Sequence, residues 1–79
     1  MEEEKRTKLT EFVKDAKENA VWNLFLVSLI SGSNEYTIES CNQTLELIDD
    51  LLEICKDPLD IEVLGKAKDI INIELDRLK

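Results

Sequence analysis

Histidine is absent from this 79-residue chain, and that absence removes more chemistry than any other feature. Without an imidazole there is no commonest general acid–base group, no commonest transition-metal ligand and no Ser-His or Cys-His nucleophile pair. Glycine occurs twice, at Gly32 and Gly65, which excludes a glycine-rich phosphate loop. Two glycines and one proline, Pro58, are also too few for a turn-rich β fold. The two cysteines, Cys41 and Cys55, lack a C-x-x-C pair and cannot complete a four-ligand zinc site alone. They fall in one predicted helix, about 21 Å apart along its axis, beyond the reach of a disulfide. Both sit on an apolar stripe and are expected as reduced thiols in the core.

Long hydrophobic runs are missing too. The longest apolar-rich stretch, residues 20–30, has nine apolar residues in eleven. As a helix it spans about 16 Å, roughly half of a bilayer core. No membrane-spanning segment is expected. The opening Met1-Glu2-Glu3-Glu4 is acidic where a signal peptide carries positive charge, so a cytoplasmic location is expected.

Positive charge is scarce in the middle of the chain. The net charge is −8. Residues 1–34 hold six acids and five bases, and residues 66–79 three acids and four bases. Residues 35–65 hold nine acids and a single base, Lys56, so the middle carries the whole excess. Such a chain repels nucleic-acid phosphates and anionic membrane surfaces, and direct contact with either is not expected.

What the chain does have is aliphatic mass at helical spacing: 24 Val, Ile and Leu residues, with Phe12, Phe25 and Trp22. Leu9, Val13, Ala16, Ala20, Leu24 and Val27 step by three or four and predict one helix over about 8–30, starting near Thr7 or Thr10. Ser31-Gly32-Ser33-Asn34 is a turn-forming cluster in which Gly32 can take a positive φ. Thr37 or Ser33 can cap a second helix over about 36–56. Its stripe is Ile38, Cys41, Leu45, Ile48, Leu52 and Cys55, flanked by Leu47, Leu51 and Ile54. Lys56-Asp57-Pro58 marks the next boundary, with Asp57 as cap, Pro58 at the first helical position and Asp60 in the first turn. A third helix over about 58–78 carries Ile61, Leu64, Ala67, Ile71, Leu75 and Leu78. Short connections set neighbouring helices antiparallel. The expected fold is therefore all-α: one domain over 1–79, three amphipathic helices in an antiparallel up-down-up bundle, completed by dimerisation.

No catalytic, cofactor or metal residue is assigned. Glu46, Asp50 and Glu53 share a helix face, but a di-iron bundle needs a Glu-x-x-His motif and a calcium loop its glycine, both absent. Glu39, Glu46, Asp49, Asp50 and Glu53 are read as an acidic, solvated face. The stretch over 20–30 is apolar in nearly every direction, and such a helix requires cover on all sides. Val21, Trp22, Phe25, Leu26, Leu29 and Ile30 are thus the expected interface of a homodimer. The functional expectation is a small acidic helical module, an adaptor or regulator, that binds another protein and performs no catalysis. The alternative is an inhibitor whose carboxylate row imitates nucleic acid, of the phage or plasmid kind, or a small immunity- or antitoxin-like protein.

Overall fold

The computed structural model describes residues 2–30 and 36–79. They form four helices: α1 over Glu3–Glu18, α2 over Trp22–Ile30, α3 over Ile38–Ile54 and α4 over Pro58–Leu78. The all-α class holds, but the three-helix count does not. The expected helix over 8–30 is two helices, separated by Asn19, Ala20 and Val21.

The break is a helix C-terminus made without glycine. Val21 N–H donates to the carbonyl of Ala16 at 2.9 Å and Ala20 N–H to that of Lys17 at 3.3 Å. These are the two reversed bonds of a Schellman ending, which requires the residue after the cap in the left-handed region. That residue is Ala20, with φ 59°. A residue with a Cβ occupies this region at a cost of about 1–2 kcal/mol. The Asn19 side chain adds a bond to the carbonyl of Asp15 at 2.9 Å. Helical spacing continues through this segment, so periodicity alone predicts no stop.

The break also resets which face is buried. In α1, Ala16 is buried and Leu9 and Val13 are half-buried. Beyond the corner the inward residues are Trp22, Leu26 and Leu29, whereas Ala20, Leu24 and Val27 of the expected stripe face outward. The start also differs. α1 begins at Glu3 rather than at a threonine cap: Thr7 and Thr10 lie inside it and bond back to the carbonyls of Glu3 and Arg6 at 3.0 and 2.8 Å.

The second half follows the sequence signals closely. Thr37 caps α3 through a reciprocal box with Ser40: each side chain accepts the other's backbone N–H, at 3.0 and 2.8 Å. Asp57 caps α4 by accepting from Leu59 N–H at 2.9 Å, with Pro58 in the first turn. Gly32, Ser33 and the turn proposed around them lie outside the described residues.

α3 and α4 form an antiparallel hairpin across Cys55, Lys56 and Asp57, with Lys68 bridging to Asp49 at 2.7 Å. This pairing is the most extensive among the described residues, and its largest fully buried side chains are Cys41, Ile48, Leu51, Leu64 and Ile71. Around it α1 packs on α3, α2 on α4, and α1 on α2, so the four helices close a ring in which each has two neighbours. Both cysteines are buried and unbridged. Burial pushes both thiols above 9.0, helped by the charges of Glu74 at Cys41 and chiefly Asp60 at Cys55.

Candidate functional site

The corner between α1 and α2 creates the molecule's most distinctive polar cluster. Asp60, in the first turn of α4, is 6% exposed and is the buried charged residue among those described. A carboxylate in that position costs several kcal/mol unless it is compensated. Two side chains from the corner compensate it. Trp22 Nε1–H donates to Asp60 Oδ1 at 2.8 Å, and Lys17 Nζ lies 2.7 Å from Oδ2. Lys17 also stands over the Trp22 ring, 5.8 Å from its centroid.

The electrostatics follow from this geometry. Burial alone drives the Asp60 carboxyl upward, but the hydrogen bonds from Lys17 and Trp22 and the lysine charge together outweigh it, leaving it below 3.8. For Lys17 the bond to Asp60 outweighs partial burial and holds the ammonium above 10.5. The pair is therefore ionised throughout the ordinary pH range. Aromatic packing reinforces the corner. Phe12 of α1 meets Phe25 of α2 edge-to-face at 5.4 Å, and Phe25 lies 5.5 Å from Trp22.

An open cleft of about 410 Å³ borders this cluster, lined by Lys17, Trp22, Asn23, Asp57, Leu59 and Asp60 among others. Its charged groups are already engaged. Both Asp60 oxygens have partners, Lys17 is paired with one of them, and Asp57 Oδ1 accepts from Leu59 N–H. The arrangement functions as a latch that fastens the corner to α4. It does not present a poised acid, base or nucleophile.

The residues expected to form an interface separate into two groups. Trp22, Leu26 and Leu29 are buried within the single chain, and Phe25 and Ile30 are partly buried. Val21 is 45% exposed, and the side chains beside it are Leu24 at 68% and Val27 at 55%, neither of which was expected there. Asn23 and Ser28 complete that outward face, and residues 19–30 carry no charge. The outer side of α2 is thus an uncharged aliphatic strip.

The acidic face is assembled on α3 but is partly neutralised. Lys5 of α1 reaches Asp50 at 2.9 Å and Glu46 at 3.4 Å, and Lys68 of α4 holds Asp49. Glu39 and Glu53 are exposed, with Gln43 bonded to Glu39 at 3.4 Å. No group of three or more metal-ligating side chains converges among the described residues. No helix among them is long and apolar enough to cross a membrane.

Asp60 is the residue that sequence reasoning placed only as a partner of the helix dipole. Its signal was available. Asp60, Leu64, Ala67, Ile71 and Leu75 form one stripe, so a carboxylate heads the buried face of α4 and must find donors. Compared with protein-family models, curated proteins and solved structures, the chain matches none of them.

Proposed function

We propose that this chain is a small, acidic, non-catalytic protein-interaction module that docks through the outer face of α2, its first partner being a second copy of itself. The observation that carries this reading is the exposure of Val21, Leu24 and Val27 on a face without charge. An aliphatic strip of this kind gains from being covered. Charge argues for the second copy. Two chains of net charge −8 repel wherever acidic surfaces meet, and a two-fold axis brings identical surfaces together. The α2 strip can meet its own image without opposing carboxylates. Imitation of nucleic acid has weaker support, because Glu46, Asp49 and Asp50 already have lysine partners within the chain. The unbridged, buried thiols suit a reducing, cytoplasmic setting.

Solution mass at micromolar concentration tests the reading. The expected result is a particle of twice 9.1 kDa, converted to monomer by Leu24→Glu with its helical circular dichroism unchanged. A monomer at every concentration overturns self-docking. Capture of a basic nuclease or polymerase that is lost in moderate salt would favour mimicry over the module.

A further inference from the structure

The corner at residues 19–21 joins two helices through a sequence whose one local stop signal is Asn19, bonded back to the carbonyl of Asp15. Lys17-Glu18-Asn19-Ala20-Val21-Trp22 contains neither glycine nor proline. Its left-handed position is filled by alanine, the residue most favourable to a continuous helix. The bend is maintained from outside, by the Lys17 and Trp22 contacts to Asp60 and the Phe12–Phe25 packing. α1 itself is lightly held. It buries Ala16, half-buries Leu9 and Val13, leaves Phe12 exposed, and bridges α3 through Lys5.

The geometry points to residues 19–21 as a hinge that straightens, merging α1 and α2 into one helix, with α1 exchanged between two copies. Length makes the exchange reciprocal. A continuous helix over 3–30 is about 42 Å long, more than the molecule's longest dimension of 35 Å. Once straight, α1 projects past its own bundle and leaves its seat on α3 empty. The side chains that fit that seat belong to the α1 of a second copy, which has lost its own seat in the same way. Short, strained connections are the usual setting for such exchange. The buried carboxylate then becomes a shared site. Lys17, on the exchanged side of the hinge, pairs with Asp60 of the partner subunit, while Trp22 stays with the Asp60 of its own chain. This exchange does not require Leu24 and is separate from docking through the outer face of α2.

Mass alone does not distinguish the two dimers, but an intrachain distance does. Probes are installed at Lys8 and Ser28 by a chemistry that spares Cys41 and Cys55. The labelled full chain is refolded at high concentration in excess unlabelled chain, so each dimer carries one labelled copy. The dimer fraction is expected to read about 30 Å between the two backbone positions, as one helix dictates, and the monomer fraction less. Ala20→Gly, which favours the bend and disfavours the straight helix at both hinges, is expected to lower the exchanged fraction about tenfold or more. A dimer with the short distance overturns the exchange and leaves docking through α2 standing. A long-distance dimer that survives Leu24→Glu supports the exchange and removes the docking face. Monomer under all these conditions overturns the exchange.

Discussion

The two halves of this molecule are stabilised in different ways. The α3–α4 hairpin has local instructions at each stage: a reciprocal cap at Thr37, an aspartate–proline start at Asp57, and a stripe of fully buried aliphatics on both helices. The α1–α2 arm has few. α1 starts without a side-chain cap, α2 follows Val21, which has no side-chain oxygen to cap it, and the corner between them costs backbone energy at Ala20. What the arm has instead is a set of long-range contacts converging on one carboxylate, Asp60. A helix pair that carries its own signals forms the scaffold, and a pair that lacks them depends on that scaffold for its shape.

The comparison breaks most directly in the core. Ile71 is fully buried on the hairpin, and Ile71→Ala should destabilise the domain by about 3–4 kcal/mol. For a chain of this size the whole folding free energy is roughly 4–12 kcal/mol, so the variant stands near the unfolding limit. Val13 is half-buried on α1, and Val13→Ala should cost under about 1 kcal/mol. Urea denaturation of the two proteins measures both. Equal costs would mean that α1 belongs to the core as fully as α4 does.

A sharper division comes from removing the contact that links the halves. Asp60→Ala leaves the Trp22 N–H without its acceptor, while Lys17, whose side chain is 43% exposed, falls back to water. The expected cost is about 2 kcal/mol. Amide exchange should accelerate across residues 3–30 and remain slow in α3 and α4. Acid should act on the same link. The carboxyl is held below its ordinary 3.8 in the folded chain, so its contribution is complete above that value and is lost as pH falls through the lower folded value. Trp22, the single tryptophan, reports it. Its emission should shift to the red on acidification below about pH 4, and the Asp60→Asn protein should lack that component. An identical acid transition in both proteins would detach the arm's stability from Asp60.

How much of this was legible in the sequence tracks the same division. Thr37, Asp57 and Pro58 are local signals, and the structure uses all three. The corner at Asn19, Ala20 and Val21 was invisible because its cause is not local. Apolar spacing runs through it, Ala20 at its centre is the strongest helix former, Asn19 alone is a weak stop signal, and the contacts that hold the bend come from Phe25 and Asp60. One missed break then reassigned a face. Leu24 and Val27, read as continuing the inward stripe from Ala16, turn outward, and Trp22, Leu26 and Leu29, read as an interface, turn in. Asp60 was missed for a related reason. Its position in a first turn already had an adequate explanation in the helix dipole, and its burial depends on a tryptophan that the corner brings to it.

The smallest effect decides most cleanly between a bent and a straight arm, because its sign is at stake. Within an ordinary helix, alanine to glycine costs about 1 kcal/mol. At a left-handed position the same change removes a strain of about 1–2 kcal/mol, and glycine's extra freedom in the unfolded chain takes back about 0.4–1 kcal/mol. Ala20→Gly should therefore stabilise the monomer by about 0.5–1 kcal/mol, seen as a higher urea midpoint with an unchanged slope. Nothing in the glycine side chain can supply that gain, since it adds no atom and no contact. A loss of about 1 kcal/mol would instead place residue 20 within a continuous helix, and the corner, the Asp60 latch and the outward turn of Leu24 would fall with it.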